Sequence, residues 1–179
     1  IELSVGGRPA EVLSVEALAP ARGGVPWEVT IYFDTPLSTP DGLAAAIAAL
    51  RSRAERLVAF GPVGIVAADP EPRQLLSGSR PAHGVGEALV LFSERATLAG
   101  ELIWRRLRHL ESAAGEDEVA SALAAEEQLL ERQRTALEAT LRARSTSGPG
   151  LLILVQDGFD LDQKRFYLRR TERLDALAR

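Results

Sequence analysis

The sequence predicts a three-layer α/β domain with a mostly parallel β-sheet, an N-terminal β-hairpin and a long helical insertion before the last strong strand. The first sign is the apolar, β-branched run Val29–Phe33, which is followed by a polar loop, a helical pattern and a second apolar run, Val63–Ala68. This order indicates a strand–helix–strand unit whose two strands are parallel and joined by a right-handed crossover. The second sign is Leu151–Val155, because an unbroken apolar run is typical of a central strand covered on both faces.

Residues 1–26 form a predicted hairpin and connector ahead of the α/β domain. Apolar and polar residues alternate in Ile1–Val5 and again in Ala10–Leu18, and Gly6 and Gly7 between these runs suit a tight turn. Proline and glycine then predict a connector over residues 19–26. We therefore divide the chain into residues 1–26 and an α/β domain over residues 27–179.

Helical periodicity follows the first predicted strand of the domain. A helix is predicted from about Pro40 to Ala59, with Ser38, Thr39 and Asp41 as candidate N-cap residues and Pro40 suited to the first turn. Residues 71–86 are rich in proline, glycine and serine, which predicts a loop that wraps the edge of the sheet.

Two long helices are predicted in the middle of the chain. Apolar residues from Phe92 to Leu110 recur every three or four positions, and a second helical pattern runs over about Glu116–Arg144. The expected buried seam of this second helix consists of Val119, Leu123, Leu130, Leu137 and Leu141. The chain closes with a helical pattern over Leu161–Arg179 and no further strand pattern. We therefore expect another chain or a missing segment to complete the sheet, since an open edge exposes unpaired backbone groups.

The composition argues against several classes of function. Its 21 basic and 25 acidic side chains are interspersed and give a net charge of −4, which argues against a nucleic-acid interface. The absence of cysteine excludes disulfides and thiolate zinc sites. No apolar run approaches the roughly 18 to 20 residues of a membrane-spanning helix, so we expect no membrane span. The chain starts at Ile1 and contains no methionine, which suggests a processed product or an excised segment.

Two of the predicted buried strands end in a carboxylate. Asp34 follows Val29–Phe33, and Asp157 follows Leu151–Val155 after one intervening glutamine. Because the carboxyl ends of parallel strands meet at one edge of a sheet, these side chains converge if their strands are neighbours. A divalent cation bound by oxygen ligands is one interpretation, and a structural role as turn former or helix cap is the other.

The motifs EVTIYFDTPLS, VGIVAADP and LLILVQDGFD, with an ELSVGGRPAEVLSVE lead-in, resemble a von Willebrand factor A-type domain of the bacterial, mostly exported kind. This resemblance implies a doubly wound, Rossmann-like sheet and a domain that binds a partner protein. It also implies an extracytoplasmic location, periplasmic or secreted. Domains of this family often bind their partner through a metal-ion-dependent adhesion site.

Part of that adhesion motif has counterparts in this sequence. Asp34 matches the first aspartate, Ser38 the second serine, and Asp157 with Gly158 the last element. The resemblance thus implies a Mg²⁺ or Mn²⁺ site formed by Asp34, Ser38 and Asp157. Pro36 replaces the first serine, and the threonine of the middle loop has no counterpart, so the ligand set is reduced and the site is degenerate. The implied partner-binding surface contains Asp34, Thr35, Ser38, Asp157 and Gly158.

The function expected from these patterns is non-catalytic protein recognition or adhesion at the carboxyl edge of the sheet, with or without a metal. One alternative is an assembly scaffold with a decayed metal site, which contacts its partner through its helices. The other alternative is a phosphohydrolase of the haloacid-dehalogenase type, which also places an aspartate after its first strand. That enzyme class needs a second aspartate two residues later as acid and base, where this chain has Pro36. We therefore expect no enzymatic activity.

Overall fold

The computed structural model describes residues 3–5, 8–10, 27–69, 71–112, 115–144 and 149–156. Six strands, one 3-10 turn and four helices lie in these ranges. In chain order they are β1 (Leu3–Val5), β2 (Arg8–Ala10), β3 (Glu28–Asp34), the 3-10 turn (Thr35–Leu37), α1 (Pro40–Arg51), α2 (Ala54–Phe60), β4 (Val63–Ala68), β5 (Pro72–Ser79), α3 (Ala82–Ser112), α4 (Glu116–Arg144) and β6 (Gly150–Val155). The predicted C-terminal helix over residues 161–179 lies outside the described residues.

The main sheet has four strands in the order β5-β4-β3-β6. Strand β3 pairs in parallel with β4 on one side and with β6 on the other, so that Ile31 lies between Ile65 and Ile153. This arrangement confirms the general α/β class and the predicted parallel strand–helix–strand unit. Within the described residues β6 pairs with β3 alone, and its side chains are half-buried or exposed. The central strand of the described sheet is therefore β3, rather than the more apolar β6.

Strand β5 corrects the predicted loop over residues 71–86. It pairs antiparallel with β4 through a register that is interrupted near Ile65, and most of its side chains are exposed. Such an irregular edge strand lacks the alternation of apolar residues that identifies a half-buried strand. Pro72 at its first position and Gly78, with a φ of 57°, are also residues that sequence patterns associate with loops.

Two smaller corrections concern the hairpin and the first helix. The hairpin is confirmed, because β1 and β2 pair antiparallel with Leu3 opposite Ala10, although β2 begins at Arg8 and the predicted strand beyond Ala10 lies outside the described residues. The single helix predicted from about Pro40 to Ala59 is divided into α1 and α2. The Ser52 hydroxyl and the Arg53 guanidinium both donate hydrogen bonds to the Ala49 carbonyl, which closes α1 locally.

Helices cover both faces of the main sheet. On one face α1, α2 and the first half of α3 bury an apolar core. In this core the ring centroids of Phe33 and Phe92 lie 4.7 Å apart. Because side chains alternate along a strand, Tyr32 points to the opposite face, where it is buried with Val66. There Leu137 of α4 packs against them.

The two long helices pass the carboxyl edge of the sheet. Late in α3, Arg106 reaches the Pro36 carbonyl at this edge and pairs with Glu126 of α4. Helix α4 then returns along the second face, and Arg144 near its end pairs with Glu28 at the start of β3. The 18 residues from Glu126 to Arg144 rise about 27 Å, which matches a return along the length of the strand. None of the helices in the described part of the chain has a long enough apolar stretch to cross a membrane.

Candidate functional site

The loop after β3 is held in place by its own small side chains. The Thr35 hydroxyl donates a hydrogen bond to the Ala68 carbonyl at the end of β4, and the Ser38 hydroxyl donates to the Asp34 carbonyl at 2.7 Å. Thr39 caps α1 by accepting a hydrogen bond from the Gly42 N–H at 3.1 Å, as the sequence predicts for this group of residues. The polypeptide thus turns sharply at the carboxyl edge of the sheet and leaves Asp34 at the base of the turn.

Asp34 is a buried carboxylate at this edge. Its side chain is on the α4 face of the sheet, only 5% of the residue is exposed, and it accepts a hydrogen bond from the Leu37 backbone N–H. Its Oδ1 atom is buried and has no hydrogen-bond partner among the described residues. Burial raises the pKa of Asp34 to about 6, although the positive charge of Arg106 and the Leu37 hydrogen bond lower it.

An ion pair between Arg106 and Glu126 lies beside Asp34. The Arg106 Nε atom is 2.8 Å and 3.1 Å from the two carboxylate oxygens of Glu126, and Nη1 donates a hydrogen bond to the Pro36 carbonyl. Glu126 is buried and Arg106 is partly buried, so this pair is shielded from solvent on one side. It links α3, α4 and the turn after β3 at one point.

A cavity of about 320 Å³ opens between α4 and the carboxyl ends of β3 and β6. Its wall combines apolar side chains with acidic, basic and amide groups. The lining residues are Asp34, Leu37, Glu127, Leu130, Glu131, Gln133, Arg134, Leu137, Leu154 and Gln156. We call this space the Asp34 cavity. Asp34, Leu37 and Gln133 are its buried lining residues, whereas Glu127, Glu131 and Arg134 are exposed and mark its mouth.

Tyr32 adds a second buried polar group on the same face of the sheet. Its hydroxyl has no hydrogen-bond partner among the described residues. Burial, with a smaller contribution from the negative charge of Asp34, raises the pKa of Tyr32 to about 12. The Asp34 Oδ1 atom and the Tyr32 hydroxyl therefore both lie under α4 without a hydrogen-bond partner in the described structure, and each costs folding free energy unless it finds one.

The structure brings together three of the predicted site residues. Asp34, Thr35 and Ser38 all lie buried at the carboxyl edge of β3. The other two, Asp157 and Gly158, lie outside the described residues, so their predicted role at this edge stays a prediction. The described chain ends one residue earlier, at Gln156, which lines the Asp34 cavity.

Sequence reasoning missed Arg106, Glu126 and Gln133. Glu126 and Gln133 are buried on the same helix face as Val119 and Ala122, at helical spacing. The signal in the sequence that could have identified Glu126 and Gln133 was their position on the apolar face of an amphipathic helix. The expected seam was wrong at Leu141, which is 42% exposed near the end of α4.

Within the described residues the predicted metal site consists of the Asp34 carboxylate and the Ser38 hydroxyl, which is a sparse ligand set for a divalent cation. The Thr35 and Ser38 hydroxyls already donate to backbone carbonyls. In the described ranges no group of three or more histidine, aspartate or glutamate side chains is arranged to hold a metal ion.

Comparisons of the chain with protein-family models, with curated proteins and with solved structures gave no match.

Proposed function

We propose that this chain is a non-catalytic protein-recognition domain of the von Willebrand factor A-like type, with the doubly wound sheet of that type. In this proposal the partner binds at the carboxyl edge of the sheet, in the Asp34 cavity, and needs no metal. The observation behind it is the buried Asp34 carboxylate in the wall of a cavity of about 320 Å³. Concave, mostly preformed spaces with a few placed polar groups are typical of binding sites.

The immediate surroundings of Asp34 support binding rather than catalysis. Pro36, two residues after Asp34, has no side-chain group that exchanges a proton, and its backbone carbonyl accepts a hydrogen bond from Arg106. A haloacid-dehalogenase-type reaction would therefore lack its acid and base. Incubation of the chain with Mg²⁺ and a generic phosphate ester tests this expectation, and turnover that Asp34→Asn abolishes would overturn it.

Site-specific photocrosslinking tests where the partner binds. We would place a photoreactive amino acid at Leu154, which is 43% exposed in the cavity wall, and in a control at Leu91, which is 66% exposed on α3. Both variants would be irradiated in a lysate of the source cells, with and without EDTA. We expect a discrete crosslinked protein from position 154 only, in equal yield with the chelator. Crosslinking that is lost with EDTA would instead support a metal-dependent adhesion site.

The scaffold alternative is favoured by a second groove, of about 580 Å³, between α3 and α4. Its lining includes Arg105, Arg106 and Arg132 beside Glu126 and Leu129, so arginines outnumber the carboxylate on a partly apolar surface. A photoreactive residue at the exposed Ala125 in this groove distinguishes the two functions. Crosslinking at 125 without crosslinking at 154 would favour a scaffold that contacts its partner through the helices.

A further inference from the structure

We propose that the Asp34 cavity receives a cationic side chain, lysine or arginine, of the partner protein. This inference rests on the proposed function and specifies its chemistry. It differs from a metal-dependent adhesion site, where a bound cation would attract an acidic partner group. Here the partner itself supplies the positive charge.

The first argument is the hydrogen-bonding state of Asp34. Its Oδ1 atom is buried without a partner among the described residues, whereas Leu37 already donates to the carboxylate. A buried acceptor without a donor is costly, so a ligand that brings an N–H donor gains both the hydrogen bond and the relief of this cost. A cationic donor gains more than a neutral one, because charge-assisted hydrogen bonds are about twice as strong.

The second argument is the balance of charges around the cavity. The Arg134 Nη2 atom is 2.8 Å from Glu131 Oε1, and its Nε atom is 3.9 Å from Glu138 Oε1. Two carboxylates therefore share the positive charge of Arg134. Glu127 at the mouth has no ion pair among the described residues. Arg106, which also acts on Asp34, is paired with Glu126 and is not part of the cavity lining. The wall therefore carries an excess of negative charge, which favours a cation and opposes a carboxylate.

The third argument is the shape and polarity of the cavity. Leu130, Leu137 and Leu154 form the apolar part of its lining, in the same cavity as Asp34. Lysine and arginine combine an apolar stem with a charged head, so the stem would lie against these leucines while the head meets the carboxylate. A volume of about 320 Å³ is at the small end of ligand sites, which suits one inserted side chain.

Small probes test the charge preference without knowledge of the partner. We would titrate ¹⁵N-labelled protein with n-butylammonium, n-butylguanidinium, n-butanol and butyrate at pH 7.5 in EDTA. Chemical-shift changes of the Asp34, Leu130 and Leu154 amides report binding in the cavity. Fragments of this size bind at about millimolar concentrations. We expect at least one of the two cations to bind at least about tenfold more tightly than n-butanol, and butyrate to bind most weakly.

Three variants assign this preference to particular carboxylates. In Asp34→Asn the preference for cation over alcohol should fall to within about threefold, because the isosteric amide removes the Asp34 charge and only Glu127 remains. Glu127→Gln is an exposed change that leaves the fold intact, and we expect it to weaken the cation about twofold to threefold. Asp41→Asn, on the exposed first turn of α1, is the matched control and should leave the preference unchanged.

Several results would overturn the inference. These are equal or tighter binding of n-butanol or butyrate in the unmodified protein, a preference that Asp34→Asn retains, and no probe-induced shift at the cavity residues. The photocrosslinking experiment separates this failure from failure of the proposed function. Crosslinking at position 154 with no cation preference would mean that a partner binds at this edge by other chemistry. A cation preference without crosslinking would mean that the cavity selects cations but recognises no partner protein.

Discussion

Replacement of Asp34 by asparagine should change the pH dependence of stability in a defined direction. The folded-state pKa of Asp34 is raised from 3.8 to about 6 by burial, so folding favours the protonated form. Its contribution to stability is fully present below pH 4, is lost as the pH rises towards 6, and stays lost above that value. Asparagine has no such titration. The free energy of unfolding of the unmodified protein should therefore fall relative to that of Asp34→Asn between pH 4 and 6.

The size of this effect follows from the two pKa values. A carboxyl group with a pKa of about 6 in the folded chain and 3.8 in the unfolded chain loses about 3 kcal/mol of stabilisation between pH 3.5 and 7.5. Only 5% of Asp34 is exposed, so little of this difference is screened by solvent. The asparagine side chain also changes the free energy of unfolding by an amount that does not depend on pH. This amount cancels, because only the change of the free energy of unfolding with pH is compared between the two proteins.

Urea unfolding of both proteins at closely spaced pH values between 3.5 and 7.5 measures the difference. Asp41→Asn, on the exposed first turn of α1, serves as the control for the replacement of one carboxylate by an amide at the surface. Parallel curves for Asp34→Asn would refute the reasoning, since they would mean that Asp34 titrates alike in both states. A difference of the opposite sign would mean that Arg106 outweighs burial and lowers the pKa of the carboxyl group.

Three further substitutions test the packing around the site. Tyr32→Phe removes a buried hydroxyl that has no partner among the described residues, so it should leave stability unchanged or raise it by about 1 kcal/mol in urea unfolding; a loss above 1 kcal/mol would contradict this. Arg106→Met should cost about 3 kcal/mol because it removes the guanidinium from the buried Glu126, and adding Glu126→Gln should recover part of that loss. Additive losses in the double variant would show that the pair is not coupled. Gly61→Ala should lower the melting temperature strongly, since a Cβ there meets the Trp27 backbone carbonyl, and a thermal scan that matches the unmodified protein would refute this close approach.

The placement of Asp34 followed from local sequence, whereas its environment did not. An apolar run that ends in a carboxylate and leads into a capped helix predicts both the strand and the edge at which Asp34 lies. Arg106 of α3 acts electrostatically on Asp34 and pairs with Glu126 of α4, and Gln133 of α4 lines the same cavity. No local pattern at these three positions points to this edge, because they meet it only after two long helices have folded back along the sheet.

The order of the strands also depended on tertiary packing. Leu151–Val155 is the most apolar run, and its composition predicts a central, covered strand. In the described sheet β3 has a neighbouring strand on each side, whereas β6 pairs with β3 alone and is half-exposed. Composition reports how apolar the surroundings of a strand can be, but the backbone pairing decides which strand lies beside which.

The sequence by itself determined the α/β class, the parallel unit around Val29–Asp34 and the edge at which a site would form. These features depend on local periodicity and on the short range of turn and cap interactions. Only the tertiary structure decided the chemistry of that edge. It placed the Arg106–Glu126 ion pair beside Asp34, and it buried the Asp34 carboxylate deeply enough to raise its pKa. Desolvation and long-range charge pairing act between residues far apart in the chain, so they exist only once the helices and the sheet have packed together.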